Sequence, residues 1–169
     1  VGLGAIGLCM ARMAAGFGMK VIAYNHHKKT GSEYDFVEQV SLDELLRRSD
    51  VISIHCPSTD ETRGMIDKNV IAKMKDGVIL INTASGDIIV EDDLVDALNS
   101  GKVYAAGLDV VCNEPVVQRI PLMDCPNAII TPHMAWAPAE ARYRTVRIAS
   151  DNLKNWIEGH PTSVINGKG

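Results

Sequence analysis

The chain opens on "VGLGAIG", and the spacing of Gly2, Gly4 and Gly7 constrains the fold more than any other feature. Val1 has the character of a strand end, and the segment after the glycines, near residues 5 to 18, is rich in Ala and Met at helical period. Glycines at these three positions allow a tight turn and a close backbone approach, and they leave the first amides of a helix pointing at open space. A glycine turn that only packs a helix on a strand is the plain alternative. What argues against it is the order of the elements that follow.

Short β-branched runs alternate with segments of helical period. The strands expected are "VIAY" (21 to 24), "VISIH" (51 to 55), "VILIN" (78 to 82), "VYAAGLDV" (103 to 110) and "AIITPH" (128 to 133). Helices are expected near 5 to 18, 41 to 49, 67 to 75 and 91 to 100, with a long final one over 138 to 159. Ser41 with Glu44 three residues on forms a capping box. Such alternation builds βαβ units and a parallel sheet. The fold class expected is α/β, a Rossmann-like doubly wound parallel sheet whose first strand is truncated and ends at Gly2. The stretch 112 to 127 holds three prolines and reads as a surface loop.

With 169 residues and 46% apolar content, the chain can bury one sizeable core. The division expected is a dinucleotide-binding domain over 1 to 150, then a helix end and tail over 151 to 169. A net charge of -4, with no basic run longer than a pair such as Lys28 and Lys29, excludes an electrostatic footprint for nucleic acid or an anionic membrane. No apolar run approaches the ~20 residues that span a bilayer. Cys9, Cys56, Cys112 and Cys125 lack metal-ligand spacing, so no metal site is expected. They read as reduced, mostly buried thiols of a cytoplasmic protein. Met10, Met13, Met65 and Met74 read as core filler. Because Val1 is already a strand end, the chain reads as a fragment.

The glycine loop, Gly2, Gly4 and Gly7 with Ala5 and Ile6, is the expected seat of a dinucleotide pyrophosphate. At the end of the second strand, where a carboxylate would bind the hydroxyls of the adenosine ribose, the sequence reads "YNHHKK". Asn25 can still bond a ribose hydroxyl, while Lys28, Lys29 and a protonated His26 or His27 could receive a 2'-phosphate. NAD is therefore expected with NADP also permitted, and a solvated basic turn is the alternative reading.

Further on, His133 in "ITPHMAW" ends a strand, and Glu114 in "NEP" lies in the loop before that strand. A carboxylate that orients an imidazole suits a proton-transferring histidine. Asp109 ends the preceding strand, where it could meet the nicotinamide. At the corner after the "VILIN" strand stand Ala84, Ser85 and Gly86, where open α/β sheets place ligands. Trp136 walls a pocket or joins the core, with the core reading the commoner for such an aromatic.

Taken together, "VGLGAIG", "HCPSTDETRGMID", "MKDGVILINTASG", "AAGLDVVCNEP", "ITPHMAWAPAEAR" and "NLKNWIEGHP" resemble the nucleotide-binding domain of the D-isomer-specific 2-hydroxyacid dehydrogenases, in particular those acting on glycerate and hydroxypyruvate. The resemblance implies hydride transfer between NAD(P) and C2 of a small 2-hydroxy or 2-oxo acid, in a homodimer, with the tail over 151 to 169 returning toward a separate substrate domain. It makes His133 the acid/base, Glu114 its partner and Asp109 a cofactor contact. It also sets Pro57, Thr83, Ala84, His133 and Ala135 along the cofactor. The family pattern implies an arginine, holding substrate carboxylate and carbonyl, where this chain has Ser85. Two classes of function follow: an oxidoreductase impaired by Ser85, or a dinucleotide-binding module without turnover.

Overall fold

A computed structural model describes residues 1 to 165. The chain forms two compact units, Val1–Pro132 and the segment from His133 onward.

In the first unit the helices are α1 (Ala5–Gly16), α2 (Leu42–Arg48), α3 (Lys68–Lys73) and α4 (Glu91–Ser100). The strands are β1 (Ile22–Ala23), β2 (Glu38–Gln39), β3 (Val51–Ile54), β4 (Val78–Asn82), β5 (Val103–Leu108) and β6 (Ala128–Ile130). All strand pairs are parallel, in a four-stranded order β3-β4-β5-β6 and a two-stranded order β1-β2. The first residues of the chain join the two sheets. Gly2 N–H donates to the Tyr24 carbonyl at 2.8 Å, and His55 N–H donates to the Val1 carbonyl at 2.7 Å. The path of hydrogen bonds is therefore β2, β1, residues 1 to 3, β3, β4, β5, β6. Successive strands leave the first one in one direction and then in the other, which is the Rossmann arrangement and creates a switch point beside residues 1 to 3 and β3.

The central strands are Ile- and Val-rich, with one face fully buried and the other half-buried. Ile52, Ile54, Val78, Leu80 and Val103 are at most 1% exposed, and Leu46, Ile66, Ile88 and Leu94 pack on them fully buried. A smaller cluster of Leu3, Ala11, Ala23 and Val37 seats α1 on β1. Ser41 caps α2 by accepting from Glu44 N–H at 3.2 Å, while the Glu44 carboxylate accepts from Arg48 at 2.6 Å. Three acidic residues open α4, where the helix dipole favours them, and Gly101 closes it with φ 78°.

Several expectations need correction. The two-residue strand β2 carries no apolar run and was not expected. The strands expected over 103 to 110 and 128 to 133 stop at Leu108 and Ile130; Asp109 and Thr131 each make one more backbone bond to the neighbouring strand before the chain leaves the sheet, and their side chains bond each other there. The loop 112 to 127 is not wholly superficial, since the 3-10 turn Pro121–Asp124 buries Leu122 and Cys125. Only Cys125 among the four thiols is buried; Cys9 and Cys112 are exposed. Met74 is core, but Met13 is 52% exposed. Trp136, 63% exposed, is not core either.

The second unit carries α5 (Ala139–Ile157), which has no buried residue. Trp156 and Ile157 are exposed, as expected of a helix whose apolar residues lack a cover. Residues 166 to 169 of the expected tail lie outside the described residues. Among the described residues no helix is long and apolar enough to cross a membrane.

Candidate functional site

The three glycines of the opening motif do different work. Gly2 has φ 87°, and a Cβ there would stand 2.6 Å from the Cys56 amide nitrogen. A Cβ on Gly7 would collide with the Gly2 carbonyl oxygen. These two let α1, residues 1 to 3 and the end of β3 come together. Gly4 is the N-cap of α1, and a Cβ on it would meet nothing within 4 Å. No side chain caps this helix, so the first-turn amides near Ala5 and Ile6 face an open cradle. Positive partial charge, free donors and no obstructing Cβ suit a pyrophosphate.

Next to this cradle, Asn25 at the end of β1 binds the loop itself. Leu3 N–H donates to Asn25 Oδ1 at 2.9 Å, and Asn25 Nδ2 donates to the His27 carbonyl at 2.7 Å. The sequence suggested a ribose contact; the amide also holds the glycine loop in register, leaving one acceptor lone pair of Oδ1 for a hydroxyl. Beyond it, the Gln39 amide pairs with both the N–H and the carbonyl of Lys29, each at 2.8 Å. A cavity of about 360 Å³ opens here, lined among others by Lys28, Lys29, Thr30, Tyr34 and Asp35.

At the end of β3, Ser53 Oγ and His55 Nε2 are 2.9 Å apart. Burial holds the His55 imidazole below its ordinary pKa. His55 is thus a satisfied strand-end residue, and the exposed Pro57 opens the loop that follows.

The corner after β4 is built around Asn82, which is fully buried. Its Nδ2 donates to the Ser85 carbonyl at 2.8 Å, and its Oδ1 accepts from Ala84 N–H at 3.0 Å. This side-chain-mimicked turn bends the chain through the exposed Thr83 and the half-buried Ala84 and Ser85. Gly86 completes the bend, because a Cβ there would overlap the Val111 backbone. Ser85 Oγ donates to Asp87 Oδ1 at 2.7 Å; Asp87 Oδ2 accepts from Ser58 Oγ at 2.6 Å and from Arg63 Nε at 3.3 Å. The hydroxyls of Ser58 and Ser85, with Arg63 beside them, hold the Asp87 carboxyl below the usual carboxylate value.

One strand over, Asp109 N–H donates to the Asn82 carbonyl at 2.9 Å, and Thr131 Oγ1 donates to the Asp109 carboxylate, which is 6% exposed. Glu114 Oε1 accepts from Val111 N–H at 2.9 Å. Asn82, Ser85, Asp109 and Glu114 therefore cluster at or just beyond the carboxyl ends of β4 and β5. His133 opens the second unit, exposed, with φ 50°, a conformation a non-glycine residue adopts at a cost. Ala135 is exposed on the same segment. Partial desolvation of its sulfur and the neighbouring Glu91 push the Cys112 thiol up to about 11, which disfavours the thiolate.

Sequence reasoning passed over Asn82, Ser58, Asp87 and Arg63. An Asn before a small-residue bend was a legible turn signal. Nothing local connects Asp87 to Ser58 or Arg63, which join it only through the packing of two loops.

Comparison with known proteins agrees with this geometry. Residues 1 to 135 match the family model of the D-isomer specific 2-hydroxyacid dehydrogenase, NAD binding domain. A hydroxypyruvate reductase of Blautia hydrogenotrophica is 52% identical over 166 residues, covering 98% of this chain and 52% of that protein. A solved glyoxylate reductase from Paecilomyes thermophila superposes with a TM-score of 0.87 at 42% identity, over 93% of this chain and 48% of that one. An acyclic imino acid reductase solved with NADPH and D-Arg gives 0.88 at 32% identity, over 96% and 52%. The chain spans about half the length of the curated relatives it matches. It belongs to the D-isomer-specific 2-hydroxyacid dehydrogenases, and the part of them that it carries is the NAD-binding domain.

Proposed function

We propose that the full-length protein is an NAD(P)-dependent oxidoreductase interconverting small D-2-hydroxy acids and 2-oxo acids of the glycerate and hydroxypyruvate type. The observation that carries this reading is the convergence of Asn82, Ser85, Asp109 and Glu114 at adjacent strand ends of a sheet whose first turn is an open glycine cradle. In this reading residues 1 to 150 hold the dinucleotide, with the pyrophosphate over Gly2, Gly4, Ala5, Ile6 and Gly7 and the ribose at Asn25. Pro57, Thr83, Ala84, Asp109, His133 and Ala135 border the nicotinamide half. When bound, the reduced nicotinamide supplies the hydride. In this reading His133 is the acid that gives the proton to the nascent hydroxyl, Glu114 is its carboxylate partner, and Asp109, bonded by Thr131, stands beside the cofactor.

Ser85 supports a slower enzyme than an arginine at that corner would give. A serine hydroxyl lacks the charged fork that polarises a carbonyl. NAD is the cofactor of this reading, with NADP admitted because the cavity after β1 presents Lys28 and Lys29 and because Asn25, not a carboxylate, follows β1. A homodimer accords with the bare apolar side chains of Ile6 and Met13 on α1 and of Phe17 just after it. The protein's acidic charge suits a cytoplasmic setting without nucleic-acid or membrane partners. A second reading, a binding module without turnover, is favoured by Ser85 alone.

The test uses the full-length protein. Fluorescence titration should show binding of NADH, NADPH or both, and hydroxypyruvate or glyoxylate should be reduced at a measurable rate that His133→Ala removes. Dinucleotide binding with no turnover on any small 2-oxo acid would replace the enzyme with the binding module.

A further inference from the structure

The Ser85 corner poses a charge problem for the substrate class just proposed, and the solution rests on that reading. A 2-oxo acid arrives as a carboxylate, and a carboxylate entering a protein cleft is stabilised by a cation or by several converging donors. Ser85 offers neither, since its hydroxyl already donates to Asp87. Asp87 makes matters worse: its hydrogen bonds keep it ionised, so the corner carries a negative charge of its own.

The cation hydrogen-bonded into this corner is Arg63. Its Nε lies 3.3 Å from Asp87 Oδ2, on the carboxylate whose other oxygen receives Ser85. A guanidinium has two edges. With the Nε side turned to Asp87, the Nη1/Nη2 edge remains for a second carboxylate, and the Arg63 side chain is 63% exposed. The loop that carries it is well fixed. Thr62 Oγ1 donates to the Pro57 carbonyl at 2.7 Å, and Thr59 N–H donates to Thr62 Oγ1 at 2.8 Å. Gly64 N–H then donates to the Asp87 carbonyl at 2.7 Å, and Ile66 N–H to that of Ile88 at 3.0 Å. Arg63 and the Ser85 corner are thereby stitched together by backbone as well as by side chains.

We infer that Arg63 is the group that receives the substrate carboxylate, delivered from the loop after β3 and oriented by Asp87. Asp87 is a positioning residue: it neutralises half of the guanidinium fork and aims the rest. A merely structural role predicts something different, because an exposed ion pair adds little to stability. Arg63→Ala should leave the melting temperature nearly unchanged while weakening the substrate site.

The experiment uses the full-length protein saturated with its dinucleotide and the non-reducible 2-oxo acid analogue oxamate, followed by calorimetric titration. Arg63→Ala should weaken oxamate roughly tenfold or more, Arg63→Lys should recover part of it, and dinucleotide affinity should not move. KM for hydroxypyruvate should rise in parallel, with kcat less affected, and Ser85→Arg should restore binding in the Arg63→Ala background. An oxamate affinity indifferent to Arg63, or oxamate and dinucleotide affinities falling together, would overturn the assignment. Turnover with a KM that ignores Arg63 would sink this inference and leave the enzyme reading intact. Arg63-dependent oxamate binding without turnover would do the reverse, and a protein that neither binds oxamate nor turns over would remove both.

Discussion

The glycines show how far individual residues can be read before a structure exists. Their spacing announced a dinucleotide turn, yet it could not separate the glycines needed by the protein from the one needed by the ligand. Gly2 and Gly7 admit close backbone contacts, whereas Gly4 borders only open space. Gly7→Ala should therefore destabilise the fold itself, visible as a lowered melting temperature. Gly4→Ala should leave melting unchanged and weaken NADH in a fluorescence titration, because its new methyl enters the open space beside the helix start that the pyrophosphate would occupy. Ser85 was legible as a residue at a ligand-facing corner, but its partners were not. Asp87 is two residues away and looks like a helix-start acid, and Ser58 and Arg63 belong to another loop. Asp87 also fixes a pH dependence. Its carboxyl titrates lower in the fold than in the open chain, so its contribution is complete above the unfolded value, about 4, and is lost as pH falls through the lowered folded value. The difference in melting temperature between the native chain and Asp87→Asn should be full at neutral pH and shrink below about pH 4.

Elements were legible where periodicity and caps agreed. The helix α2 was announced by Ser41 and Glu44, and it buries Leu45 and Leu46 against the core. Ser41→Ala should cost about 1 kcal/mol by freeing the Glu44 amide, and Leu46→Ala roughly 2 to 5 kcal/mol by opening a cavity under the helix. Chemical denaturation of the two variants checks both, and equal losses would contradict the assignment of cap and core roles. The strand β2 was illegible because Glu38 and Gln39 bring no apolar alternation; it exists through pairing with β1 and the grip of Gln39 on the Lys29 backbone. The strand ends were overestimated for a related reason. Asp109 and Thr131 have strand-like neighbours and each makes one last backbone bond to the next strand, but the chain leaves the sheet after them.

For the molecule as a whole, the strand path through residues 1 to 3 sets the switch point, and every residue given a chemical role in the first unit stands at the carboxyl ends around it. The alternation of runs made this topology legible; the role given to His133 comes from the resemblance alone. The central claim is that the Ser85 corner faces the substrate of a 2-hydroxyacid dehydrogenase, with a proton donor at His133. The most direct measurement is kcat/KM for hydroxypyruvate in the full-length protein carrying Ser85→Arg, alone and together with His133→Ala. Ser85→Arg should raise kcat/KM by roughly a hundredfold, the ~3 kcal/mol of one strong electrophilic contact, and His133→Ala should abolish the gain because the two groups act on one carbonyl. A Ser85→Arg protein no faster than the native one would contradict the claim.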